Sequence, residues 1–308
     1  MSEVKTDMNL RAFLLLTISI LVVAFGNATL GAEEKNIVPK VRPGENKAQK
    51  KNASQKIIVK NGATLLQVTL RGTGETVVML PSLGRSVQDF DMLSERLAAN
   101  GYRVVLPEPR GIGQSAGPTD KLTLHDLADD IAAVIEAVSD EQVTLVGHAL
   151  GNRLARVVAT DHPQLVKGVV LIAAGGLQPM RPEIRKALEN CFNDQLPRDQ
   201  RLAAIKLAFF AEGNDPKVWE TGWYKDVARY QSAANAATPV KDWWAGGKAR
   251  ILVLQGAEDT VATRENSKQL LQEYGDRVTV IEIPKAGHAL LPEQPELIAK
   301  AVLDFLRR

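Results

Sequence analysis

Gly147-His148-Ala149-Leu150-Gly151 has the layout of a nucleophile elbow without a nucleophile. The β-branched, apolar run 142–146 leads into it, and an apolar-periodic run follows from Leu150. That is the strand–turn–helix setting in which a G-x-S-x-G serine works. Covalent acyl transfer needs an oxygen or sulfur at the tip, and the methyl group of Ala149 can attack nothing. A second match, Gly113-Gln114-Ser115-Ala116-Gly117, has the serine but the wrong setting. Pro118-Thr119-Asp120 follows it instead of a helix, so Ser115 is not expected to be a nucleophile. His288 lies in the Gly-flanked loop Lys285-Ala286-Gly287-His288, a place suited to a general base. His148 is expected to pack or hydrogen-bond under the elbow. His125 opens a helix and His162 precedes Pro163 at a helix end, where a cation suits the dipole, so both read as structural. The lone Cys191 reads as an inert thiol.

The elements that would hold these residues alternate along the chain. Strand patterns fall at 56–60 and 64–70 around Asn61-Gly62, a short hairpin signal, and then at 76–80, 102–106, 166–174, 250–255 and 277–283. Helical spacing appears in Phe90, Leu93 and Leu97, in 124–138, after the elbow, and in a closing helix at 291–306. Strands alternating with helices predict an α/β chain with a mostly parallel, doubly wound sheet. From about 176 to 247 the pattern is helical. Nine of the 15 aromatic residues fall between 175 and 247, including all four tryptophans, Trp219, Trp223, Trp243 and Trp244. An insertion there would cap the carboxyl ends of the strands, where open α/β sheets bind ligands. Some rings should pack the cap onto the body; others, Trp219 and Trp223 among them, should line a pocket for an apolar or aromatic small molecule.

Over nearly everything after residue 57 the pattern resembles the α/β-hydrolase superfamily. Leu80-Pro81-Ser82-Leu83-Gly84 stands where that family has its oxyanion loop, with Ser82 and Leu83 in place of the frequent His-Gly. Pro107-Glu108-Pro109-Arg110-Gly111-Ile112-Gly113-Gln114-Ser115 is similar to the family's Asp-x-Arg-Gly-x-Gly-x-Ser stretch, with Glu108 for the Asp. Gly256-Ala257-Glu258-Asp259 and Ala286-Gly287-His288 match the family's acid and base positions. The resemblance implies an α/β-hydrolase fold with a helical cap. It implies that Asp259 orients His288, that backbone amides near Leu83 and Leu150 form an oxyanion site, and that Ser82 and His148 border the substrate pocket. Glu258 is expected to face solvent.

Composition bounds the rest. The 308 residues are 45% apolar, enough for one large α/β domain with an insertion. Residues 1–32 have the layout of a signal peptide: Arg11, an apolar run at 12–25, then small residues. A run of fourteen residues falls short of a comfortable membrane span, so export to the periplasm or medium is expected, with an uncleaved membrane anchor as the alternative. Residues 33–56 read as a disordered basic linker. The stretch 33–60 holds eight Lys or Arg against three Glu, +5, and 1–32 is neutral. The chain's +2 therefore leaves −3 for 61–308. Nothing in that body argues for nucleic acid, and one cysteine excludes an internal disulfide. No metal or cofactor is expected, only a small-molecule substrate or ligand.

Three functions fit these residues. In the first, His288 oriented by Asp259 acts as a base on water or on a substrate proton, giving ester-like hydrolysis or lyase-type proton abstraction. In the second, the chain is a pseudo-hydrolase that binds a small ligand without turnover. In the third, a serine hydrolase has been silenced by a Ser-to-Ala change at 149.

Overall fold

A computed structural model describes residues 54–308; the leader expected at 1–32 and the linker up to residue 53 lie outside the described residues. Eight strands form one sheet in the order β1-β2-β4-β3-β5-β6-β7-β8. They are β1 (Gln55–Asn61), β2 (Thr64–Arg71), β3 (Glu75–Leu80), β4 (Tyr102–Pro107), β5 (Val143–His148), β6 (Val166–Ile172), β7 (Arg250–Gly256) and β8 (Val278–Ile283). The first two strands pair antiparallel, β2 joins β4 antiparallel, and every later pairing is parallel. β1 starts at Gln55, so residues 55 and 56 belong to the sheet rather than to the linker; they pair with Leu70 and Thr69.

Both faces of the inner parallel strands are covered, which is why these strands read as continuous apolar runs, whereas the edge strand β8 is half exposed. Val78, Leu145, Val169 and Val253 point to one side. There they meet α2 (Leu124–Val138), α3 (Leu150–Asp161) and α8 (Arg264–Tyr274). Val77, Val146, Val170 and Leu252 point to the other side, toward α1 (Asp91–Ala99) and α10 (Pro295–Leu306). Helix α2 starts in a capping box, Thr123 and Asp126 each satisfying the other's backbone N–H. The expected closing helix is broken. A single turn, α9 (Leu290–Glu293), precedes α10, because Pro295 disfavours a helical conformation at Gln294, which sits at φ −137°, ψ 56°.

Between β6 and β7 lie α4 (Pro182–Cys191), α5 (Arg198–Phe209), α6 (Lys225–Ala237) and the single turn α7 (Val240–Trp243). Among the described residues, no helix is long and apolar enough to cross a membrane.

Candidate active site

The elbow is built by close backbone approach. A β-carbon on Gly147 would fall 2.3 Å from the Gly151 carbonyl oxygen, and one on Gly151 would fall 2.1 Å from that of Leu80. Only glycine at both positions lets α3 start directly against β3. Between them Ala149 sits at φ 50°, ψ −108°, a conformation an L residue adopts under strain. The Ala149 N–H donates to the Ile172 carbonyl at 3.0 Å and fixes the turn.

The strand register brings the other loops level with this tip. Leu80 pairs with Gly147, His148 with Ile172, and Gly256 with Ile283, so the segments after β3, β5, β7 and β8 leave the same sheet edge. His288 and Asp259 come together there. Nδ1 of His288 lies 2.9 and 3.1 Å from the two Asp259 carboxylate oxygens. Asp259 Oδ1 also accepts from the N–H groups of Val261 and Ala262, at 2.9 and 2.8 Å. Three donors thus hold one carboxylate, and the carboxylate fixes the imidazole. The N–H groups of Ala257 and Glu258 donate to Ile283 and Ala286, which ties the two loops to each other. Glu258 itself is exposed.

A cavity of about 610 Å³ opens over these groups. Its wall includes Ser82, Leu83, Ala149, Leu150 and His288 from the sheet side, and Phe192, Phe209 and Trp223 from the insertion. Nε2 of His288 has no hydrogen-bond partner among the described residues, nor has the Ser82 hydroxyl. The N–H groups of Leu83 and Leu150 likewise donate to no described acceptor. Leu150 opens α3, where the helix dipole adds positive potential.

Two residues expected on the pocket wall are not there. His148 is fully buried beneath the elbow, its Nε2 2.8 Å from the His288 carbonyl oxygen. A carbonyl only accepts, so Nε2 carries the proton. Burial, reinforced by His288, pushes the ring down to about 3 and keeps it neutral, and its Nδ1 is left without a partner. Trp219 is also buried away from the cavity. It packs on Phe209, Phe210 and Trp223, and the Arg85 guanidinium stacks 4.5 Å from its ring. An indole rim could not fill that role, because this ring is a layer of the insertion's own core. Trp243 and Trp244 serve packing too, both lying over buried Arg156 of α3.

The residues read as structural are held as such. Ser115 donates to the Glu108 carbonyl and accepts from Gln67 N–H, both at 2.9 Å. Glu108 is buried and accepts from the Ser86 hydroxyl and Val87 N–H. His125 pairs with Asp161 at 2.6 Å and His162 with Asp129 at 2.9 Å. Cys191 is buried, donates to the Ala187 carbonyl, and has its thiol pushed up to about 12 by burial. Glu293 was not legible beforehand. Its carboxylate accepts from Gly287, Ala211 and Asn214, bracing the His288 loop against the end of α5. Its only sequence mark is an acid in a turn after the loop, which is too common to single out.

Fold and site together define a class. The sequence profile described as alpha/beta hydrolase fold matches residues 75–204, and the chain has the α/β-hydrolase fold. It is 26% identical to a 2-hydroxymuconate semialdehyde hydrolase of Pseudomonas sp., over 76% of this chain and 88% of that one. It is 24% identical to a 2-(acetamidomethylene)succinate hydrolase of Mesorhizobium japonicum, over 80% and 92%. Among solved structures, the esterase of Exiguobacterium antarcticum superposes with a TM-score of 0.70 at 19% identity, covering 82% of this chain and all of that one.

Proposed function

We propose that the protein hydrolyses a small, largely apolar molecule without an acyl-enzyme intermediate, using His288 as the base. The observation that carries this reading is the state of the imidazole. Nδ1 is fixed on Asp259, while Nε2, on a cavity wall shared with Ala149, has no partner among the described residues. A serine at 149 would consume that nitrogen; a methyl group frees it and is smaller by one oxygen. His288 then takes a proton from water as the water oxygen attacks an ester-like carbonyl carbon. The N–H groups of Leu83 and Leu150 receive the developing oxyanion. Collapse breaks the bond to the leaving group, which recovers the proton from Nε2, giving an acid and an alcohol or amine. Asp259 supports the imidazolium between the two transfers. The named hydrolases among its relatives support hydrolytic chemistry on small molecules. We further propose that the chain is exported and starts near residue 33 once its leader is removed, which the intact mass of the secreted protein would report.

Two variants test the reaction. His288→Ala should lower any turnover found with small esters or amides by about 10²- to 10⁴-fold while leaving ligand binding in place. Unchanged turnover would remove the base; no turnover with any such substrate favours a binding protein. Ala149→Ser should raise p-nitrophenyl acetate hydrolysis by at least about 100-fold, since the base and oxyanion donors would then serve a nucleophile. Labelling of the unaltered chain by a fluorophosphonate would show an activated serine and end the proposal.

A further inference from the structure

The charges on the cavity wall do not balance. Four chargeable side chains line it: His288, Arg153, Arg185 and Glu189. Arg185 and Glu189 are exposed, one turn apart on α4, and Glu189 lies 3.7 Å from Lys186. Arg153 is different, because it is half-buried and held by the fold. Its Nη1 donates to the Asn235 side-chain oxygen at 2.8 Å. Its guanidinium lies 5.6 Å from the Trp243 ring centroid and so close to Gly176 that a β-carbon there would fall 3.0 Å from Cζ. Among the described residues no carboxylate pairs with it. Removal from water pulls the group down to about 10, so it still carries its charge at neutral pH.

Nor does the next turn of α3 supply a counter-charge. Arg156 is fully buried and also lacks a carboxylate among the described residues. It is held by the Asn152 side-chain oxygen at 2.8 Å and by the carbonyls of Gly175 and Trp244 at 3.3 and 3.4 Å. Two guanidinium groups therefore stack along one helix with no anion to offset them, and Arg153 is the one that reaches the cavity. A partly desolvated cation without a counter-charge gains when an anion meets it.

We propose that the molecule bound in this cavity carries a carboxylate and that Arg153 is its anchor, a claim that rests on the cavity being the substrate site argued above. Asn235 occupies one Nη1 hydrogen and fixes the plane of the guanidinium. The guanidinium hydrogens that Asn235 leaves unused have no acceptor among the described residues and suit a planar, singly charged carboxylate. A dianion such as a phosphate would need a second half-buried cation, and Arg156 does not line the cavity. Arg153 lies one helical turn from Ala149, so the anchored end and the reacting end of one small molecule share a single helix face.

Calorimetric titration of the full chain with benzoate and phenylacetate, each beside its own carboxamide, tests the anchor without requiring turnover. At least one acid should bind tenfold or more tightly than its amide, a difference of about 1.4 kcal/mol. Arg153→Gln should erase the preference and Arg153→Lys should keep part of it. In the ligand-free protein Arg153→Met should not lower the melting temperature, because it removes a charge with no carboxylate partner among the described residues. Equal binding of acid and amide, absence of binding by both acids, or a preference that survives Arg153→Gln would overturn the proposal. A lowered melting temperature with the acid preference intact would make Arg153 merely structural. His288→Ala should leave the acid preference in place, so loss of turnover and loss of the anchor report separately.

Discussion

Ala149 keeps a backbone conformation that an L residue adopts at about 1–3 kcal/mol, and nothing in its own methyl group repays that strain. What the turn achieves is to start α3 at Leu150 on the wall of the cavity that Leu83 and His288 also line. His148 underlies this arrangement as a neutral donor that fixes the His288 carbonyl. Its state makes stability depend on acid in a defined direction. The folded ring titrates near 3 and the unfolded one near 6.5, so between those values the unfolded chain binds the extra proton. The contribution is complete above about pH 6.5 and falls by about 1.4 kcal/mol for each unit of pH toward 3. His148→Gln, which can still donate to the His288 carbonyl, should flatten the fall in melting temperature between about pH 6.5 and 4. Parallel melting curves for the two proteins would show that His148 does not set the acid response.

At the scale of elements, the elbow depends on how closely α3 abuts β3. Gly151→Ala would drive a β-carbon into the Leu80 carbonyl at 2.1 Å, and the obstacle is backbone, which cannot rotate away. We expect a loss of about 3 kcal/mol or more in urea unfolding, well above an ordinary overpacking substitution. A loss under about 1 kcal/mol would mean that strand and helix separate freely. The same element scale explains where sequence periodicity stopped being informative. Continuous apolar runs located β3 to β7, because buried parallel strands are apolar on both faces. It joined α9 to α10, because hydrophobic spacing continues across Gln294-Pro295 while the backbone does not.

Across the whole molecule, the insertion between β6 and β7 is anchored unequally. Val227, Tyr230 and Ala234 of α6, with Trp243 and Trp244, belong to the same core as α2, α3 and the sheet. Helices α4 and α5 instead share a separate cluster with Trp219, joined to the body through Ala289. The cavity lies between these two kinds of support, with α4 supplying Leu188 and Arg185 to its wall and α6 supplying Ser232. Amides of α4 and α5 should therefore exchange with deuterium faster than those of α6, because opening them exposes less shared core. Equal protection of all three helices would indicate that the insertion opens only with the whole fold.

The resemblance to α/β hydrolases supplied the Asp259 and His288 positions, while the order of strands and helices and the glycine elbow with its alanine tip were determined by the sequence alone. Those features are local: periodicity, turn chemistry and residue type specify them wherever the chain goes. Only the tertiary structure decided that Ser115 is locked between Gln67 and Glu108, that His148 and Trp219 lie beneath the cavity instead of on it, and that Glu293 braces the base. It alone also left Arg153 facing the cavity without a carboxylate among the described residues. Each of these depends on what a side chain meets from a distant part of the chain. Burial and missing counter-charges are properties of assembled neighbours, and no spacing along the chain encodes them.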